Sequence, residues 1–201
     1  MLKLYDYLAS GNGYKVRLIL NHLEIPFERI ELDVSKGETR TPEFLAINPN
    51  GRIPTLQFDD GRALSESDAI LWYFADSTVY LPTDQFERAQ VLQWMFFEQY
   101  NHEPTIAVAR SMLLHSEMTE DRKLTLKDKQ EKGYDALQVM EQHLANRSYL
   151  VGDVYSIADI ALYAYTHVAD EGGFDLSGFR YIRAWLQRVK SQDRHIPITQ
   201  G

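Results

Sequence analysis

Residues 48–74 read NPNGRIPTLQFDDGRALSESDAILWYF, and four kinds of local chemistry follow one another in them. Asn48-Pro49-Asn50-Gly51 is turn chemistry, because Asn and Gly tolerate positive φ and Pro fixes its own. Ile53-Pro54-Thr55-Leu56-Gln57-Phe58 is β-branched and apolar and predicts a strand with a proline near its start. Proline has no N–H for a ladder, so it belongs at an edge or a first position. Asp59-Asp60-Gly61-Arg62 carries the Asp-Gly signature of a tight hairpin turn. Leu64-Ser65-Glu66-Ser67-Asp68 then leads into the apolar run 69–74, a helix start with an acidic first turn that Ser65 or Ser67 can cap.

Upstream, residues 2–8 alternate and predict a first strand, which Ala9-Ser10-Gly11-Asn12-Gly13 breaks. Residues 14–23 carry Val16, Ile19, Leu20 and Leu23 at helical spacing. Pro26 ends that helix, since the residue before proline is pushed out of the α region. Residues 27–34 predict a second strand, residues 35–40 a loop, and residues 41–45 a short capped helix with Pro42 at its first position. Downstream, residues 77–86 are turn-rich. Beyond Glu87 only helical patterns follow: 87 to about 114 with a kink at Pro104, then 125–144, 156–168 and 179–191. Two domains are expected, 1–76 and 87–201, joined by a linker at 77–86. Ser156 with Asp159 three residues on forms a capping box before an apolar run.

The 201 residues suffice for one large or two small domains, and 44% hydrophobic with 25% charged residues is a globular composition. A formal net charge of -8 argues against nucleic acid or an anionic membrane as the main partner. Without cysteine there is no disulfide framework, no thiolate zinc site and no Cys nucleophile. The six histidines show no metal-ligand spacing, so no metal site is expected. No apolar run approaches a membrane span, and Met1-Leu2-Lys3 opens into a strand without the regions of a signal peptide; a cytoplasmic protein is expected.

The order of turn, Ile-Pro strand, hairpin and Glu-Ser helix start resembles the glutathione-binding half of the glutathione S-transferase family. The resemblance implies an α+β thioredoxin-like domain followed by an all-α helical domain. It implies a cis Ile53–Pro54 bond, with backbone groups of Ile53 clasping the cysteinyl part of glutathione. It places Glu66 and Ser67 at the γ-glutamyl end, where a helix N-terminus welcomes a carboxylate. Ser10-Gly11-Asn12-Gly13 resembles a bacterial branch of the family in which Ser, helped by Asn, faces the glutathione sulfur. A hydroxyl donated to a thiolate lowers the thiol's pKa, because the charged form gains the bond. Tyr7, or Tyr5, is the rival donor, and a plain helix N-cap is the simpler reading of Ser10. Thr39, Arg40, Arg52 and Lys15 are softer candidates for the glycyl end. Tyr100, Asn101 and Arg110 are candidates for the acceptor site. In the family the Ser156/Asp159 box serves folding.

The implied activity is transfer of glutathione, a co-substrate rather than a bound cofactor, to a small hydrophobic electrophile. Two alternatives stand beside it: a glutathione-dependent disulfide or peroxide reductase, and a non-catalytic glutathione-binding or regulatory member. The absence of cysteine excludes a cycle through a protein thiol. The family also implies a homodimer, formed through the helix at 67–74 and the long helix near 88–94, which carries apolar residues on more than one face. No nucleic-acid or membrane partner is expected.

Overall fold

A computed structural model describes residues 1–201. The chain divides into two compact units, Met1–Thr78 together with Asp193–Gly201, and Val79–Gln192. The return of the last segment to the first unit was not legible in the sequence.

The first unit is built on strand β1 (Leu2–Asp6). Helix α1 (Gly11–His22) carries the chain over to β2 (Phe27–Glu31), which pairs parallel with β1. Two 3-10 turns, Val34–Lys36 and Glu38–Arg40, and helix α2 (Pro42–Ile47) lead back to β3 (Thr55–Gln57). β3 is antiparallel to β1 on its other side and forms a hairpin with β4 (Ala63–Ser65). The order β2-β1-β3-β4, closed by helix α3 (Ser67–Ala75), is thioredoxin-like. Leu4 and Leu56 are paired across the sheet and fully buried, as are Leu18, Ile19, Ile70 and Leu71 of α1 and α3, which pack together. Burying one such side chain contributes about 1.5–3 kcal/mol.

Several local expectations change. α1 begins at Gly11, three residues early, because Ser10 caps it through the Gly13 amide at 3.2 Å. β2 stops at Glu31, and the expected loop at 35–40 is wound into the two 3-10 turns. Pro54 precedes the ladder, which starts at Thr55 and so loses no N–H. Neither Ser65 nor Ser67 caps α3: the cap position is Glu66, with no side-chain hydrogen bond. Lys15 and Arg17 of α1 are both fully buried.

The second unit is helical: α4 (Gln85–Phe97), α5 (Glu103–His115), α6 (Glu120–Leu144), α7 (Ile157–Thr166) and α8 (Arg180–Lys190). The single long pattern at 87–114 is two helices joined by a π turn at Glu98–His102. Pro104 has no N–H to offer the preceding turn, and the π turn is where the hydrogen-bond ladder changes register. Every residue of α7 is buried. At its start the Asp159 carboxylate is fully buried and accepts four hydrogen bonds. Oδ1 takes the Leu150 amide at 3.0 Å and the Trp185 indole at 2.8 Å; Oδ2 takes the Ser156 amide at 3.0 Å and its hydroxyl at 3.1 Å. The capping box therefore also ties α7 to the preceding loop and to α8. The first turn of α8 has no acidic residue of its own. Glu141 of α6 supplies the carboxylate, accepting the Tyr181 and Ile182 amides at 2.9 and 2.8 Å.

Glu141→Ala is expected to lower stability by about 1–2 kcal/mol, the scale of a lost helix cap, measured by urea unfolding. Burial raises the Asp159 carboxyl from 3.8 to about 6. The folded protein then keeps a proton that the unfolded chain releases, so this group's contribution falls as pH rises from about 4 to about 6. In urea unfolding across that window Asp159→Asn should lack this falling component. At neutral pH the same variant should lose about 2–4 kcal/mol, because an amide N–H faces donors that the carboxylate accepted.

Candidate functional site

The first strand ends at Asp6 and a tight turn, with the Ser10 amide donating to the Tyr7 carbonyl at 2.8 Å, brings the chain to α1. Ser10 sits at φ -72 and ψ 124, the extended geometry of an N-cap. Its oxygen accepts the Gly13 amide, which leaves the hydroxyl proton free to be donated outward. Both readings of Ser10, cap and donor, are compatible in one side chain. Gly13 is obligatory on packing grounds: a Cβ there would lie 1.5 Å from Asp6 Oδ1.

The opposite wall comes from the turn before β3. Asn48 is buried and organises it. Its Nδ2 donates to the Arg52 carbonyl and to Thr55 Oγ1, both at 2.9 Å, and its Oδ1 accepts the Asn50 amide at 3.1 Å. Gly51 at φ 61 lies against the neighbouring turn, where a Cβ would meet Arg40 Nη1 at 2.5 Å and the Thr39 carbonyl at 2.8 Å. Arg40 Nη1 donates to the Asn50 carbonyl at 2.9 Å and fastens the two turns together. The Ile53–Pro54 peptide is cis, as expected. Ile53 lies outside the ladder, so its amide and carbonyl face no strand partner.

Ser10, Asn12, Val34, Thr39, Arg40, Gly51, Arg52 and Ile53 line one open cavity of about 340 Å³. Six of these are residues singled out from the sequence; Val34 and Gly51 are not. The cavity's only charged lining residues are two arginines, Arg40 and Arg52, in a chain whose net charge is -8. The wall that carries Val34 and Thr39 is held by Asp33. Its carboxylate accepts the Ser35 and Lys36 amides at 2.9 and 3.3 Å, and hydrogen bonds from Ser35 and Lys36 lower its pKa to about 2.

Pro54 is buried, and none of Pro54, Glu66 and Ser67, expected at the site, belongs to the cavity lining. Ser67 Oγ donates to Asn12 Oδ1 at 3.5 Å and accepts from Lys15 Nζ at 3.3 Å. Lys15 is fully buried and pairs with Asp68 at 3.2 Å. Its ammonium is therefore a brace between α1 and the start of α3 and does not line the cavity, contrary to the expectation of a ligand cation. Glu66 is exposed at φ 69 and ψ 114, a sparsely populated backbone region for a non-glycine residue. Such strain, where observed, marks a place where position matters more than local comfort. Tyr5 is committed to Gln57 at 3.1 Å, and Tyr7 does not line the cavity. In the helical unit Tyr100 and Asn101 are exposed on the π turn, whereas Arg110 is buried and bonded to Glu171 at 2.7 Å. Arg110 lacks the open guanidinium that an acceptor site would need.

Asn48 and Thr55 were missed as site-forming residues because only their burial distinguishes them from ordinary turn and strand positions. No helix is long and apolar enough to cross a membrane.

Comparison with known proteins gives concordant results. Residues 9–77 match the family model for the glutathione S-transferase N-terminal domain, and residues 94–193 that for the C-terminal domain. The disulfide-bond oxidoreductase YfcG of Escherichia coli K12 is 31% identical over 199 residues, covering 96% of this chain and 91% of YfcG. The crystal structure of a glutathione S-transferase from Pseudomonas fluorescens superposes with a TM-score of 0.97 at 53% identity, over 99% of both chains. Ure2p in complex with glutathione superposes with a TM-score of 0.85 at 26% identity, covering 96% of this chain and 90% of that one. Two matched domain models spanning most of the sequence, together with a thioredoxin-like sheet carrying a cis-proline beside its cavity, make this chain a member of the glutathione S-transferase family.

Proposed function

We propose that the protein binds glutathione at the Ser10–Arg52 cavity, stabilises its thiolate, and directs the sulfur at a small hydrophobic electrophile. The observation that carries this reading is one cavity in which a helix-capping hydroxyl, two arginines and the laddering-free peptide of Ile53 converge. Each meets a different part of the tripeptide. Arg40 and Arg52 suit its glycyl carboxylate, the Ile53 peptide its cysteinyl backbone, and Glu66 with Ser67 its γ-glutamyl end. The sulfur is left facing Ser10 and Asn12. A free thiol of pKa about 8.5 is mostly protonated at neutral pH, and the thiolate is the nucleophile. Donation from Ser10 favours that thiolate, so the protein needs no base of its own. This is the chemistry of the Ser-type bacterial branch. The solved complexes of Ure2p with glutathione and with S-hexylglutathione support a glutathione site on this fold.

The name of YfcG favours a second reading, glutathione-dependent disulfide reduction. With no cysteine in the chain, all three sulfurs of that exchange, the attacking thiolate and the two of the disulfide, would belong to glutathione and its substrate. A panel of electrophiles and disulfides assayed with glutathione separates the two.

Ser10→Ala should leave glutathione affinity nearly unchanged while raising the bound thiol's pKa by about one unit, equivalent to about 1.4 kcal/mol. Turnover at neutral pH should fall and recover in part at higher pH. Glu66→Ala should weaken binding and leave the pKa of the bound thiol alone. A pKa that moves with Tyr7→Phe and not with Ser10→Ala would reassign the donor.

A homodimer belongs to the same reading. Tyr73 of α3 is 53% exposed and Phe96 of α4 is 69% exposed, and aromatic area of this kind on two helices suits a second copy. Sedimentation at micromolar concentration is expected to give twice 23.3 kDa; a monomer there would count against it.

A further inference from the structure

Residues 193–201 cover the side of α1 that carries Tyr14, Arg17 and Asn21, and a fully buried charge sits beneath them. Arg17 is fully buried. Its guanidinium reaches in two directions. On one side Nη1 donates to the Ile198 carbonyl at 2.8 Å and to the Gln200 carbonyl at 2.5 Å. On the other Nη2 donates to the Leu8 carbonyl at 2.5 Å, and Nε stands 2.9 Å from Asp6 Oδ2 as an ion pair. Leu8 lies in the turn that presents Ser10.

Asp6 completes the path. Its Oδ1 accepts the Tyr7 amide at 2.7 Å and lies where a Cβ of residue 13 would be, so the carboxylate touches the backbone of Gly13. The Gly13 amide is the one that holds the Ser10 hydroxyl. A continuous chain of contacts therefore runs from the carbonyls of Ile198 and Gln200 through Arg17, then Leu8 and Asp6, to the Ser10 oxygen. The covering segment is itself fastened to α1: Tyr14 donates its hydroxyl to the Ile196 carbonyl at 2.6 Å. A guanidinium cannot shed its charge, so a buried one must keep its acceptors or leave its site. Loss of the two carbonyls would draw Arg17 away from Leu8 and Asp6.

We propose that the segment Asp193–Gly201 acts through Arg17 as a latch that holds the turn 7–10 and so positions the Ser10 hydroxyl for the substrate thiol, a role that rests on the glutathione reading above. Arg17 is a positioning residue and touches no substrate.

The test uses the full chain with three substitutions and two readouts: hydrogen exchange at the Gly13 amide without ligand, and the thiolate absorbance of bound glutathione as a function of pH. Arg17→Met is expected to speed exchange at Gly13 by about tenfold or more and to raise the bound thiol's pKa by about one unit, a tenfold loss of thiolate at neutral pH. Glutathione affinity should change little. Arg17→Lys keeps the charge beside Asp6 but cannot fork to both Leu8 and the covering carbonyls, so it should resemble Arg17→Met. Tyr14→Phe removes the hydroxyl that holds the Ile196 carbonyl and keeps the ring over which the Arg17 guanidinium lies at 5.5 Å, so it should shift both readouts in the same direction by less; it keeps the test alive if the Arg17 variants fail to fold. Glu141→Ala, a destabilised control in the other unit, should move neither readout. Full rescue by Lys, or unmoved Gly13 exchange and thiol pKa in all three variants of a wild type that binds glutathione, overturns the latch alone. A wild type that binds no glutathione overturns the reading beneath it, and this is seen before any variant is made.

Discussion

A guanidinium buried among apolar side chains has to be given acceptors, and the first unit is arranged around that requirement at Arg17. β1 supplies the Asp6 carboxylate, the turn after it supplies the Leu8 carbonyl, and residues 193–201 supply two more carbonyls. Burial is strong enough to hold the Asp6 carboxyl at about 6 even with Arg17 beside it. Such a pair adds little net stability over a well-packed apolar one, yet removing one partner strands the other. What it provides is definition: strand end, turn and helix start have one arrangement in which every buried charge is met.

The helical unit solves the complementary problem. There the buried group is a carboxylate, Asp159, and it is met by donors from its own helix start, from the preceding loop and from the Trp185 indole of α8. A capping box ordinarily satisfies only its own helix terminus. At Asp159 the same carboxylate also records the positions of two other segments, so a short local motif acquires a tertiary task. Glu141 does the same for α8, whose own first residues offer no negative charge.

The cavity depends on neither unit's hydrophobic core directly. It is made of turns, and turns are held by polar side chains that satisfy backbone groups. Asn48 braces the wall before β3, Asp33 braces the wall that carries Val34 and Thr39, and Ser10 braces the start of α1. The outcome is a cavity in which Arg40 and Arg52 stand with Val34, Ile53 and the turn residues, suited to a peptide ligand that carries carboxylates. Lys15, which could have added a third cation, is spent instead on holding α1 to Ser67 and Asp68.

Much of this was legible in the residues. The Ile-Pro strand, the Asp-Gly hairpin, the Ser156/Asp159 box and the helical periodicities are local signals, because turn, cap and amphipathic preferences act over a few bonds. Six lining residues could be named for the same reason: they sit on such signals, or follow from the family pattern those signals carry. What the sequence could not decide was which polar residues go inside. Lys15 read as a candidate ligand cation, Arg17 carried no signal of its own, Arg110 read as an acceptor-site cation, and Asn48 as an ordinary turn residue. Their burial depends on segments far away in the chain: residues 193–201 over α1, Asp68 beside Lys15, Glu171 beside Arg110, Thr55 beside Asn48. A charge can be buried only when its partner arrives, and the partner's arrival is a property of the tertiary fold, not of any stretch of sequence.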